Sequence, residues 1–415
     1  MLSNKYWRLM PTAALVTLLL AACGGATPAA TEAPATEAAT PATTEMATAA
    51  PTEAMTAAAT QAPTEAATQA AAANWTPDPT LLAAAQKEGQ LTVIALPHDW
   101  CDYGDVLTAF KSATNLTVNE LNPDAGSGDE VQAIIANESN PGPQAPDVVD
   151  VGESYGPKMV DQKLVTPYKV TTWDSIPDSA KAADGSWYGD YYGVLSFLVN
   201  TDVQPKVPMD WKDLLDPAYK GQVALSGDPR VSNQATMAVY AAALANGGDA
   251  KNVQPGLDFF AQLNKSGNLV PTISNNGLVA KGETPVRITW DYNALAAIDS
   301  FAGNPKAQVV VPPSAVVAGV YVQAISAFAP HPNAAKLWME FLYSDQGQLL
   351  WLKGYCHPIR YNDLAKNNKI PADLAAKLPS ADLYAKAVFP SLDDQTAATT
   401  AITGGWDKTV GANIK

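Results

Sequence analysis

The chain has 415 residues, 47% of them apolar and 16% charged, enough to bury one large core or two adjacent lobes. Lys and Arg total 26 against 41 Asp and Glu, and the net charge of −15 opposes any surface that must neutralise phosphates, which argues against a nucleic-acid partner. Three cysteines are too few for a disulfide-built scaffold, and no 18-residue apolar run lies outside the first 22 residues, which argues against a polytopic membrane protein.

Lys5 and Arg8 precede a short apolar stretch over 13–22 that ends in small residues, so 1–22 read as a secretory signal. Leu20-Ala21-Ala22-Cys23 resembles the bacterial lipobox. That resemblance implies cleavage before Cys23, lipid on its sulfur, and an extracytoplasmic protein anchored to the cell membrane. The plainer alternative is an ordinary signal peptide with an incidental cysteine. Residues 23–74 read as a linker: 26–73 contain only Ala, Thr, Pro, Glu, Met and Gln, with nothing to offset the entropy of ordering. Its prolines stiffen the coil, and its reach is on the order of 40 Å or more.

From residue 75 to 415 the pattern is that of a folded domain. Asp78-Pro79 predicts a helix through Lys87 that Gly89 stops, and 91–96 a buried strand. A helix over 106–112, a strand over 116–121, a helix over 128–139 and a strand over 147–151 follow. After about residue 200 the alternation restarts, with strands near Val223 and over 286–289, 309–311 and 321–327. Short apolar strands separated by helices predict a mainly parallel α/β sheet covered on both faces, in two lobes.

Ligands of such sheets lie beyond the carboxyl ends of the strands. The residues there are His98, Asp99, Trp100 and Tyr103 after the first strand, and the 124–130 turn with Ser127 after the second. Glu153 and Tyr155 follow the third, Asp228 a strand of the second half, and Trp290, Asp291 and Tyr292 another. Carboxylates mixed with aromatic faces attract a cation, each face contributing about 0.5–2 kcal/mol. The Gly126-Ser127-Gly128 turn reads either as a plain helix cap or as an anion cradle of free N–H groups.

Over about 91–364 the order of segments resembles the substrate-binding proteins of bacterial ABC importers, of the polyamine and ferric-iron type. The matching stretches are 210–221 (DWKDLLDPAYKG), the Trp290 strand end, 332–344 (PNAAKLWMEFLYS) and 346–348 (QGQ). The resemblance implies a two-lobed periplasmic-binding-protein-like α/β fold with a hinge and an interlobe cleft. It also implies chain crossings near 195–200 and Trp290, with the helices after 332 packed mostly on the second lobe. The lobes would comprise 75–197 with 291–332, and 198–290 with 333–415. In polyamine binders an aromatic box and carboxylates hold the ammonium groups, and Trp100, Tyr103, Tyr155, Asp228, Trp290 and Tyr321 are similar in placement. A second acidic residue that such binders carry is Val231 here. In ferric-iron binders the matching positions are His98, Glu153, Asp291 and Tyr292, one tyrosine of the family's pair being Asp291.

The expected ligand is thus a small, cationic, polyamine-like solute handed by a monomeric receptor to a membrane ABC permease, with ferric iron as the alternative. No cofactor is implied. Cys101 and Cys356 can pair in an oxidising compartment if their Cα atoms lie within about 7 Å. No Gly-x-Ser-x-Gly elbow, P-loop or His-Glu-x-x-His supports an enzyme.

Overall fold

The computed structural model describes residues 74–415 apart from 141, 377, 379–382 and 384–385, so the leader, Cys23 and the linker up to residue 73 lie outside the described residues. Asp78 starts α1 (Pro79–Glu88) as the sequence predicts: its carboxylate accepts the Leu81 N–H at 2.8 Å, Pro79 occupies the first turn, and Gly89 ends the helix at φ 78°. β1 (Gln90–Ile94), α2 (Tyr103–Thr114), β2 (Thr117–Leu121), α3 (Ser127–Asn137) and β3 (Val148–Gly152) follow in the expected order. Next come α4 (Tyr155–Asp161), β4 (Val165–Thr166), β5 (Tyr188–Asn200), β6 (Val223–Leu225), α5 (Asn233–Ala245), α6 (Gln254–Ser266), α7 (Asn276–Ala280), β7 (Val286–Trp290) and α8 (Asp291–Phe301). The chain ends with β8 (Ala307–Val310), β9 (Ala318–Ser326), α9 (Pro332–Leu342), α10 (Asp345–Lys353), β10 (His357–Pro358), α11 (Tyr361–Lys366), α12 (Ala372–Ala375) and α13 (Leu392–Thr409).

The long strand β5 organises both lobes. Its residues Tyr188, Gly189 and 191–194 pair with β9, whereas 195–199 pair with β7 and 197–200 with β8. The larger sheet runs β3-β9-β5-β7-β6, so one strand belongs to both halves. Of its 13 residues only Tyr192 is less than fully buried. Two glycines let side chains close on this crossing. A Cβ at Gly193 would lie 2.4 Å from Tyr292, and one at Gly319 would lie 2.2 Å from Trp290.

The alternating pattern suggested a mainly parallel sheet, and the structure corrects this. Between named strands only β1–β2 and β6–β7 are parallel, while β3, β5, β7, β8 and β9 pair antiparallel. A short strand buried on both faces carries the same apolar run in either direction, so its pattern does not fix its sense. The packing also divides the helices after residue 332. α9 lies on α1 and α10 on α2, at the β1 side, and only α13 lies on α5 and α6. Among the described residues no helix is long and apolar enough to cross a membrane.

Cys101 and Cys356 are joined by a disulfide, with Cα atoms 5.4 Å apart across a sequence separation of 255 residues. It ties the turn after β1 to the segment after α10. Replacing both cysteines with Ala should lower stability by about 2–4 kcal/mol. Urea unfolding checks this, and an unchanged midpoint would contradict a stabilising crosslink.

Candidate functional site

A cleft of about 440 Å³ opens where strand ends and helix starts of both lobes converge. On one side stand the turn after β1 with Asp99 and Trp100, the start of α3 with Ser127, and Asp150 of β3. On the other are Ser226 and Asp228 after β6, the start of α5, the start of α7 and Arg287 of β7. Helix starts expose backbone N–H groups and the positive end of the helix dipole, which favours negative charge.

Arg287 is the basic residue of this lining. It is 8% exposed, its Nε donates to Ser226 Oγ at 2.7 Å and its Nη1 to Asn276 Oδ1 at 2.7 Å. The other described arginines each hold two carboxylates: Arg230 binds Asp228 and Asp407, and Arg360 binds Asp345 and Asp363. Arg287 forms no such ion pair among the described residues. Burial pulls its pKa down to about 10, and the nearby Asp99 charge opposes this. It remains charged at neutral pH, and a buried charge without a counter-ion is unfavourable until one arrives.

Three contacts already link the two sides. Asn276 Nδ2 donates to Asp99 Oδ2 at 2.7 Å, the Gly128 N–H donates to the Val231 carbonyl at 3.0 Å, and the Tyr155 hydroxyl donates to the same carbonyl at 3.3 Å. Ser226, Arg287, Asn276 and Asp99 therefore form one hydrogen-bonded chain from β6 across to the loop after β1.

Beneath the cleft lies a buried polar layer. Asp150 Oδ2 accepts the Tyr103 and Tyr191 hydroxyls at 2.8 and 2.6 Å, and Trp100 Nε1 donates to the Tyr191 oxygen at 2.7 Å. Glu130 Oε2 accepts the Asp150 N–H at 2.9 Å, and Ser127 Oγ accepts the Gly152 N–H at 3.1 Å. Desolvation raises the pKa of Glu130 well above the usual carboxylate range, and the Asp150 charge adds to the rise.

The sequence-predicted residues divide accordingly. Trp100, Ser127, Asp228 and Tyr321 line the cleft. Asp228 is, however, held by Arg230 through Nε at 2.9 Å and Nη2 at 2.6 Å, so its charge is compensated. Tyr103 lies in the layer below. Tyr155 bridges the two sides. Trp290, Asp291 and Tyr292 are fully buried and lie outside the lining. Trp290 stacks on Tyr292 at 6.4 Å between ring centroids, and Asp291 Oδ1 accepts the Val194 N–H at 2.8 Å. These residues close the hinge crossing, because the residue that ends a central strand faces neighbouring strands before it can face solvent.

The iron set does not assemble. His98 is exposed and pairs with Glu120 at 2.6 Å, while Glu153 Oε2 accepts Gln395 Nε2 at 2.9 Å. Among the described residues no group of three or more His, Cys, Asp or Glu could hold a metal ion. Sequence reasoning missed Arg287, Asp150, Asn233 and Asn276. Two of these carried a signal: an arginine between Val286 and Ile288, and an aspartate inside Val148–Gly152, are charges placed in otherwise apolar buried strands.

The family follows from comparison with known proteins. The chain belongs to the bacterial extracellular solute-binding proteins, whose family profile matches residues 143–387. It is 24% identical over 309 residues to a putative 2-aminoethylphosphonate-binding periplasmic protein of Salmonella typhimurium, covering 72% of this chain and 85% of that one. The periplasmic binding protein AfuA of Actinobacillus pleuropneumoniae, solved with fructose-6-phosphate bound, matches with a TM-score of 0.62 and 21% identity over 78% of this chain and 99% of its own. Iron-bound HitA of Pseudomonas aeruginosa matches with a TM-score of 0.58 and 19% identity over 78% and 99%. The fold is the two-lobed periplasmic-binding-protein α/β fold. The protein is an extracytoplasmic substrate-binding component of an ABC importer, a class that binds and releases its solute without turnover.

Two predictions follow from the geometry. Trp290→Ala should destabilise the fold by about 3–5 kcal/mol through loss of hinge packing. Calorimetric melting checks this, and a loss of binding with unchanged melting would return Trp290 to the ligand site. Glu153 is pushed up to about 7 by burial, so between the unfolded value near 4.5 and about 7 the native state binds more protons than the unfolded one. Its contribution is favourable below that window and is lost as pH rises through it. Glu153→Gln should remove this slope and gain at most about 3 kcal/mol over wild type at pH 8. Identical pH–stability curves for the two would contradict the burial argument.

Proposed function

We propose that the cleft captures a small solute by an oxyanion group, a phosphonate, phosphate ester or sulfate, and delivers it to a membrane ABC permease. The observation that carries this reading is Arg287, buried in the cleft wall and without a carboxylate partner, while the other described arginines have two each. The starts of α3 and α5 in the same lining support it. So do the phosphonate named for the Salmonella relative and the sugar phosphate named for AfuA.

Because the Arg287–Asn276–Asp99 chain spans the cleft, an anion on Arg287 would also favour the closed arrangement, shifting the population by its difference in affinity for the two states. The organic-cation reading keeps one supporting observation, the Trp100 and Tyr321 rings beside Asp150 in the lining. The proposed organisation places the lipid on Cys23, the tether over 23–74 and the solute-binding domain over 75–415.

Isothermal titration of ligand-free protein with 2-aminoethylphosphonate, fructose 6-phosphate, sulfate and spermidine tests the reading. At least one oxyanion should bind, and Arg287→Gln should weaken it at least about thirty-fold, as expected when a buried charge contact is lost. Spermidine binding that is indifferent to Arg287→Gln, with no oxyanion response, would overturn the proposal.

A further inference from the structure

The floor of the cleft holds two oxygen acceptors without donors. Asp150 is 5% exposed and uses Oδ2 for the Tyr103 and Tyr191 hydroxyls, and its Oδ1 has no hydrogen-bond partner. Asn233, the first residue of α5, is 3% exposed, and its Oδ1 also lacks a partner. Both residues line the cleft. They are neighbours: a Cβ at Gly152 would fall 2.1 Å from Asn233 Cγ, and Gly152 shares a face of β3 with Asp150 two residues earlier.

Buried acceptors normally find a donor, and two of them in one lining call for a group rich in N–H. Trp100 and Tyr321, packed edge-to-face with ring centroids 5.3 Å apart, line the same space and favour positive charge. Burial raises Asp150 to about 6, and burial together with the Asp150 charge raises Asp190 well above the usual carboxylate range.

We propose that Asp150 and Asn233, beside the Trp100–Tyr321 ring pair, form an amine subsite, so that the solute is a zwitterion with an ammonium at this end and an oxyanion at Arg287. The oxyanion end rests on the reading under the preceding heading. The amine end stands on its own acceptors, and the two can fail separately.

The test is titration of the full domain with 2-aminoethylphosphonate, with ethylphosphonate, which lacks the amine, and with putrescine, which lacks the oxyanion. Aminoethylphosphonate should bind at least tenfold tighter than ethylphosphonate. That gap should close in Asp150→Asn and in Asn233→Ala. Asn233→Ala, at the first residue of α5, carries the test if Asp150→Asn does not fold. Equal affinity for the two phosphonates, or a gap that persists in both variants, would overturn the amine subsite and leave the oxyanion reading standing. Putrescine binding lost in Asp150→Asn, with neither phosphonate bound, would support the subsite and overturn the oxyanion reading. Binding of none of the three would overturn both.

Discussion

The whole arrangement depends on one strand being held in two places at once. β5 pairs with β9 through its first half and with β7 and β8 through its second, so the ladder that stabilises one lobe continues directly into the other. A strand so placed cannot turn a polar face to solvent, and its residues are accordingly buried almost throughout. Rings collect where it crosses. Tyr191 packs on Tyr321 and Tyr292, and Trp290 lies over Gly319, at a spot where any larger residue would collide. The tight packing confines solute to the space above, where strand ends and helix starts leave polar groups facing one another.

Electrostatics then decide what that space prefers. The protein is strongly acidic, yet the carboxylates around the cleft are largely spoken for. Asp228 is held by Arg230, Asp129 accepts the Gly126 N–H at 3.0 Å at the start of α3, and Glu130 is buried with its pKa raised by desolvation. Net charge is thus a poor guide to the sign of the ligand, since solvated surface acids are screened within about 8–10 Å at ordinary salt. A single arginine in a low-dielectric wall outweighs many distant surface charges because its attraction is neither screened nor already satisfied. Its hydrogen bond to Asn276, which in turn reaches Asp99, couples that charge to the contact between the lobes.

Much of the fold was legible because local signals were strong. Asp78, Pro79 and Gly89 mark both ends of α1, and the order of strands and helices from β1 to β3 follows from apolar runs and the turns between them. Strand direction was not legible, because β9 and β5 are buried on both faces and their patterns read the same forwards and backwards. β5 itself begins with Tyr188, Gly189, Asp190 and Tyr191, whose mixed aromatic and acidic character does not mark a strand until its pairing is known. At the site, proximity to a strand end pointed to Trp100, Ser127 and Asp228, and the family resemblance to Tyr321; all four line the cleft. The same rule also points to Trp290 and Tyr292, which the structure packs into the hinge core, since a strand end in the middle of the sheet opens onto it. Arg287 and Asp150 lie within strands, where position along the chain says nothing about which face meets a ligand.

The account stands or falls on where an oxyanion sits. A crystal structure of the domain grown with 2-aminoethylphosphonate would measure this directly. The account predicts phosphonate oxygens within hydrogen-bonding distance of the Arg287 guanidinium, with the lobes closed around them. A phosphonate bound elsewhere, with Arg287 still contacting only Ser226 and Asn276, would contradict it.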